Sequence, residues 1–211
     1  IEIGGVPVIV RTVRAFLSVE EIDMAYVGIK PDWHEYTDEL FERFGIDKER
    51  VRVIDGGADR NGTVMNIAEA IVAEHGKNEG DIILTHDAVR PFVTEKIIKD
   101  NISAMAKHSA CGTYMPAVDT IIKSDSEKVR ETLNRSELYQ AQTPQTFRLG
   151  DLRRNYYSLS EEQNKKLTDT CSVFTACNED IYLVVGDALN FKITTDSDLR
   201  MANALAELSE K

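Results

Sequence analysis

Two hundred and eleven residues, 42% hydrophobic and 29% charged, suffice for one sizeable α/β core and are few for two. With 25 Lys and Arg against 36 Asp and Glu the formal net charge is −11, so a nucleic-acid polymer is repelled overall, while a small anion gathered by a few converging cations is not excluded. No run approaches the ~20 apolar residues of a membrane helix, and Ile1 to Val10 have neither a basic lead nor a long apolar stretch, so a cytoplasmic protein is expected. Cys111, Cys171 and Cys177 form no Cys-x-x-Cys pair and read as reduced packing residues.

Short apolar runs alternate with amphipathic stretches, a pattern that favours a mostly parallel sheet flanked by helices. Val8, Ile9, Val13, Phe16 and Leu17 recur at helical spacing, with Pro7 suited to a first helical position. A strand is predicted at Met24–Ile29. Asp32 is placed to cap a second helix running to Phe44, which Gly45 ends, and Val51–Ile54 is the next strand. After Gly56-Gly57, Val64, Ile67, Ala68, Ile71 and Val72 mark a helix to about Glu74. Asp81–Thr85 reads as a strand and His86–Pro91 as a loop. Thr94 caps a helix to about Lys107, and Gly112–Met115 is a further strand.

Between Pro116 and Tyr139 the pattern changes. Val118–Lys123 and Val129–Leu133 flank the polar turn Ser124-Asp125-Ser126-Glu127, which predicts a projecting β-arm rather than a βαβ crossover. Beyond it come the segment Thr143-Pro144-Gln145-Thr146-Phe147, a helix from about Leu149 to Leu159, and a helix start at Thr168-Asp169. The strand Ile181–Val185 and a closing helix from Asp196 to about Ser209 complete the chain.

Two loops carry candidate chemistry. His86-Asp87-Ala88-Val89-Arg90-Pro91 follows a buried-looking strand, and the carboxyl ends of parallel strands are where open α/β sheets bind ligands. Asp87 there can meet a cation or a ribose hydroxyl; the plain alternative is a surface turn whose Asp87 and Arg90 merely pair with each other. Gly56-Gly57-Ala58-Asp59-Arg60-Asn61-Gly62-Thr63 opens a helix, where adjacent glycines, helix N-terminal amides and Arg60 suit an anion, though a structural Gly-Gly turn explains the same residues. Lys192, Arg135, Thr120 and Thr168 are further candidates for phosphate contacts, against the background that most Lys and Arg are simply solvated. Asp196-Ser197-Asp198 has the form of a metal-binding Asp-x-Asp, but at a helix start N-capping is the better account, and no metal is assigned to it. His34, His75 and His108 lack ligand spacing.

Taken together, His86–Pro91, Gly56–Arg60, Thr143–Phe147, Thr168-Asp169 and Asn190-Phe191-Lys192-Ile193-Thr194 resemble, in order and spacing over nearly the whole chain, the cytidylyltransferases that activate sugar-alcohol phosphates. One branch of that family acts on 2-C-methyl-D-erythritol 4-phosphate and one on D-ribitol 5-phosphate. Gly57–Asn61, Thr85–Phe92 and Lys192–Thr195 look more like the ribitol branch. The resemblance implies a Rossmann-like, GT-A-like nucleotidyltransferase fold occupying residues 1–211 as one domain, with an arm over about 116–139.

It further implies transfer from CTP with Mg²⁺ or another divalent cation. Gly57, Ala58, Arg60, Thr63 and Ala88 would bind the nucleotide; Asp87 would hold ribose and metal, and Arg90, Thr120, Arg135, Thr168 and Lys192 would surround the alditol phosphate. Asp87 and Lys192 would be the catalytic pair. The arm would embrace a second copy, so Thr120 and Arg135 would serve the neighbour's site in a homodimer. In the family a Gly-rich strand-loop precedes the segment that Ile1–Pro7 resembles, so a start upstream of Ile1 is expected. The competing readings are a nucleotide-sugar glycosyltransferase, motivated by Asp196-Ser197-Asp198, and a non-catalytic nucleotide-binding module.

Overall fold

The computed structural model describes residues 1–209. The chain opens with a two-residue pair of strands, β1 (Glu2–Ile3) and β2 (Val6–Pro7), then α1 (Val8–Leu17), β3 (Ala25–Ile29), α2 (His34–Arg43), β4 (Val51–Asp55), α3 (Arg60–His75) and β5 (Ile82–Thr85). There follow α4 (Glu95–Ala104), β6 (Ala110–Pro116), β7 (Ile122–Ser124), β8 (Val129–Thr132) and β9 (Tyr139–Arg148). The closing third holds α5 (Leu149–Ser158), α6 (Glu161–Asn164), α7 (Cys171–Ala176), β10 (Tyr182–Val185) and α8 (Asp196–Ser209).

The apolar periodicity is realised where it was strongest. On α1, Val8, Val10, Val13 and Phe16 are buried, with Pro7 standing one place earlier than expected, at the N-cap. Asp59 caps α3 by accepting the amide of Gly62, and Thr94 caps α4 by accepting that of Ile97, each satisfying a donor the first helical turn leaves open. Asp32 does not cap α2: it lies in a 3₁₀ turn at Pro31–Trp33, which supplies the entry to the helix through backbone bonds instead.

β3 and β4 pair in parallel, and a four-stranded sheet runs in the order β10-β6-β9-β5. Within it β10, β6 and β5 share one direction and β9 runs against both of its neighbours. This α/β fold with mostly parallel strands matches the sequence expectation, except for β9, which the sequence reading left without an element. Thr143-Pro144-Gln145-Thr146-Phe147 is its inner half, and the Thr143–Pro144 peptide bond is cis. A polar run containing proline has little strand propensity, so its burial comes from tertiary contacts rather than local preference.

The core is built around the two sheets. Phe147 of β9 stacks on Phe174 of α7 with centroids 4.7 Å apart, among Met65, Ala68, Leu149, Leu152 and Val173. A second cluster joins α1, α2 and β4 through Val10, Val13, Leu40, Phe41, Ile46 and Val51. Each such large side chain contributes roughly 1.5–3 kcal/mol by leaving water. Gly28 on β3 lets α3 lie close: a Cβ there would fall 2.2 Å from Thr63 Cγ2. The closing helix α8 packs against the start of the chain through Ile3, Val8, Ile193, Ala202 and Ala206. Cys111 and Cys171 are buried and all three cysteines are free thiols, with burial pushing Cys111 up to about 11 and Cys171 up to about 12.

β7 and β8 form the expected hairpin arm, closed at its base by the Ala117 amide on Leu138 O and the Leu133 amide on Ile121 O, both at 2.9 Å. Every residue of both strands is exposed.

Candidate active site

Three loops leave the carboxyl ends of β4, β5 and β10 and meet. The first, Gly56–Asp59, turns directly into α3. Gly57 has no room for a side chain, since a Cβ would lie 2.3 Å from the Gly62 carbonyl carbon, and its amide donates to Thr63 Oγ1 at 2.9 Å. Thr63 in turn donates to Asp59 O at 2.9 Å, so Thr63 shapes the turn from within, while Gly57 and Ala58 are exposed at its crest.

The second loop presents Asp87. Arg60 Nε from the first loop lies 3.4 Å from Asp87 Oδ1, while Arg90 Nε and Lys192 Nζ each lie 3.3 Å from Asp87 Oδ2. Burial pushes the Asp87 carboxyl up, but the charges of Arg60, Lys192 and Arg90 outweigh it and hold the group below the usual carboxylate value. Three cations round one carboxylate leave two positive charges uncompensated in a protein of net charge −11. This is a local reversal of potential suited to a polyanion.

The cations differ in freedom. Lys192 is 44% exposed at its side chain and Arg60 33%, whereas Arg90 is 11% exposed and also donates from Nη1 to Asn190 O at 2.8 Å. The Asp87–Arg90 pair weighed from sequence is present but largely buried, and Arg90 also ties the Asp87 loop to Asn190. Arg60 also donates to Thr170 Oγ1 at 2.8 Å, tying the third candidate segment to the same cluster. Ala88 is exposed beside Asp87 and its carbonyl accepts from Thr12 of α1 at 2.8 Å.

Thr168 is exposed at the entrance to α7, with its amide donating to Ser172 Oγ. Thr120 and Arg135 stand on the arm: Arg135 donates to Val118 O at 2.9 Å, and neither residue joins the ion pairs of Asp87. Asp198 accepts from the amides of Thr194 and Thr195 at 2.9 and 2.8 Å and its own amide donates to Thr195 Oγ1, so the Asp-x-Asp belongs to a helix cap, with the Thr195 hydroxyl rather than the Asp196 carboxylate as the capping group. Among the described residues no three His, Cys, Asp or Glu are gathered as a metal cage. His34 pairs with Asp55 at 3.0 Å, and His108 lies past the end of α4, stacked on Tyr182.

Sequence reasoning missed the residues that hold these loops. Gln145 accepts from the amides of Thr170 and Cys171 and donates to Asp169 Oδ2 at 2.6 Å. Gln142 accepts from the Asp187 amide and from Asn190 Nδ2, and donates to Asp187 O at 2.8 Å. Thr143 and His86 join the Asp87 loop to β9. The available signal was the clustering of Gln142, Thr143, Gln145 and Thr146 between apolar runs, since polar residues buried in a strand must find partners.

A family model described as IspD, 2-C-methyl-D-erythritol 4-phosphate cytidylyltransferase, matches residues 1–207. The chain is similar to a solved 4-diphosphocytidyl-2C-methyl-D-erythritol synthase from Anaerococcus prevotii DSM 20548, with 29% identity over 98% of this chain and 88% of that one and a TM-score of 0.82. A second solved synthase of the same description gives 29% identity over 98% and 92% of the two chains, with a TM-score of 0.85. The 2-C-methyl-D-erythritol 4-phosphate cytidylyltransferase from Francisella tularensis gives 26% identity over 95% and 88%, with a TM-score of 0.82. Both the cation cluster on Asp87 and the extent of these matches lead to one conclusion: the chain belongs to the 2-C-methyl-D-erythritol 4-phosphate cytidylyltransferase family, whose members are CTP-dependent cytidylyltransferases.

Proposed function

We propose that this protein transfers a cytidylyl group from CTP to 2-C-methyl-D-erythritol 4-phosphate, giving the CDP-alditol and pyrophosphate. The observation that carries the reading is the convergence of Arg60, Arg90 and Lys192 on Asp87 at the carboxyl ends of the strands. The choice of alditol is supported by the family match over residues 1–207 and by the names of the similar solved proteins. D-ribitol 5-phosphate is the second reading, favoured by the form of Gly57–Asn61, Thr85–Phe92 and Lys192–Thr195.

In this reading an alditol phosphate oxygen attacks the α-phosphorus of CTP in line, a new P–O bond forms, and the bond to the β-phosphate breaks as pyrophosphate leaves. Two polyanions must meet, so the protein's task is positioning and charge neutralisation rather than covalent catalysis. Gly57, Ala58 and Thr63 set the turn that receives the base, with Ala88 exposed beside it. Lys192 and Arg60, the more exposed cations, swing from Asp87 to phosphate oxygens, while Arg90 stays with Asn190 and keeps the loop in place.

One carboxylate among cations fits a Mg²⁺ carried by the nucleotide, since Mg²⁺ commonly takes one or two protein carboxylates and completes its shell with phosphate oxygens and water. Asp87 would be that carboxylate, and the ion would supply charge neutralisation at the triphosphate. Thr168, exposed at the α7 entrance, would meet the alditol phosphate from that side. Thr120 and Arg135 would act across a homodimer through the arm, whose exposed Val118, Ile122 and Val129 are apolar surface without a partner in the described chain.

The deciding experiment measures pyrophosphate release from CTP and Mg²⁺ with the two alditol phosphates in parallel. Release with the methylerythritol compound alone supports the proposal. Release with ribitol 5-phosphate alone transfers the protein to the second reading.

A further inference from the structure

The Asp87 and Lys192 loops meet directly, Ile193 N donating to Val89 O at 2.9 Å and Arg90 Nη1 to Asn190 O at 2.8 Å, and one residue outside the cluster bonds to both loops. Thr143, on the inner half of β9, is 4% exposed and makes no ion pair with the cations. Its Oγ1 accepts the Asp87 amide at 3.1 Å and lies 2.9 Å from His86 Nδ1. Arg90 O, 3.0 Å from His86 Nε2, can only accept, so the proton of the neutral imidazole sits on Nε2; Nδ1 is then an acceptor and the Thr143 hydroxyl donates to it. The start of the 86–90 turn is thereby bonded to β9, and its end is closed back onto His86. The carbonyl of Thr143 accepts from Asn190 Nδ2 at 2.8 Å, and Asn190 O accepts from Arg90 Nη1 at 2.8 Å. Asn190 is wholly buried and stands two residues before Lys192.

We propose that Thr143 is a positioning residue for cytidylyl transfer: its hydroxyl fixes the Asp87 loop through the His86 turn, its carbonyl holds the Lys192 loop through Asn190, and it thereby braces the two loops against each other. The proposal rests on Asp87 and Lys192 acting in the transfer. Its physical basis is that an electrostatic site works only when its charges are aimed before the reaction begins, so a displacement of about 1 Å costs on the order of 10²-fold in rate. The hydroxyl is the part that mutation can remove, whereas the carbonyl persists in every variant.

Thr146 provides the control. It is equally buried on the same strand and donates its hydroxyl to Asn101 Oδ1 at 3.1 Å, on α4, with no bond to either loop. Thr143→Val, Thr143→Ser and Thr146→Val are compared with wild type for Tm and for steady-state pyrophosphate release with CTP, Mg²⁺ and each alditol phosphate. The expected result is a fall in kcat of about 10- to 100-fold in Thr143→Val with little change in KM for CTP, near-complete rescue in Thr143→Ser, and a kcat close to wild type in Thr146→Val despite a comparable loss of Tm. Wild-type-like kcat in Thr143→Val, or an equal loss of kcat in Thr146→Val, overturns the inference.

If Thr143→Val does not fold, His86→Asn and His86→Gln decide. The Asn amide oxygen can take the place of Nδ1 as acceptor for the Thr143 proton, while the longer Gln reaches toward Arg90 O instead. His86→Asn is expected to keep the higher kcat, and equality or the reverse order contradicts the proposal. Wild-type silence with both alditol phosphates overturns the functional reading and the inference with it; wild-type turnover with an unimpaired Thr143→Val overturns the inference alone.

Discussion

The arm and the inner half of β9 are consecutive in the chain, and each inverts the usual relation between polarity and burial. Gln142, Thr143, Gln145 and Thr146 are polar and buried, while Val118, Ile122 and Val129 are apolar and exposed. The first inversion is stable because each of those polar side chains has a partner in a neighbouring loop or helix, which removes the cost of taking it from water. The second has no such resolution within one chain, and an isolated two-stranded hairpin is marginal by itself. Buried polarity thus marks where the protein organises its own loops, and the arm leaves apolar surface uncovered among the described residues.

The largest effect that sharpens this contrast is expected at the cluster β9 supports. Lys192→Ala should lower kcat by about two to three orders of magnitude, the scale of losing one electrostatic stabiliser, with Tm little changed because the side chain is half exposed. Steady-state pyrophosphate release checks it. Asp87→Asn acts on stability as well: it leaves Arg90, 11% exposed, without its counter-charge, and a loss of about 3 kcal/mol in urea denaturation is expected.

Next comes an acid sensitivity centred on His86. Burial lowers its pKa to about 4, so the unfolded chain binds this proton more tightly than the folded one. The stabilisation is full above about pH 6.5 and is lost as pH falls toward 4, by roughly 3 kcal/mol at pH 4. Asp87, held below its usual value, adds a further loss only at still lower pH. Urea denaturation from pH 7 to 4 should show the decline, and His86→Asn should flatten it.

On the arm the expected effects are smaller and of another kind. Val129→Asp should leave the unfolding of the monomer unchanged and weaken self-association, measured by sedimentation against protein concentration. Arg130→Ala, which removes the exposed ion pair with Asp125, should change neither Tm nor kcat. A large loss of Tm in either variant would contradict the picture of an arm that stands clear of the core.

The fold was legible where burial follows periodicity. The apolar spacing of α1, α3 and α4, the cap Thr94, and the strands β3, β4, β5 and β10 all could be read from local pattern. β9 could not, because its burial depends on loops up to 57 residues away, as in the Thr143–His86 contact, and no local pattern encodes that. The site divides the same way. Asp87, Arg60 and Lys192 were visible as charged residues at strand ends and loops, whereas Thr143, Gln145 and Asn190 act only through partners that the fold brings to them. Arg90 was visible too, but its burial between Asp87 and Asn190 is a tertiary fact that no local pattern shows.

The central claim, that the Asp87 cluster serves cytidylyl transfer, is tested most directly by following CTP, Mg²⁺ and 2-C-methyl-D-erythritol 4-phosphate with the wild-type protein by ³¹P NMR. The account predicts loss of the three CTP resonances and of the alditol monophosphate, with matched growth of pyrophosphate and of a coupled diphosphate pair from the CDP-alditol. Unchanged CTP with this alditol and with ribitol 5-phosphate, or hydrolysis to CMP or CDP without a new diphosphate, would contradict it.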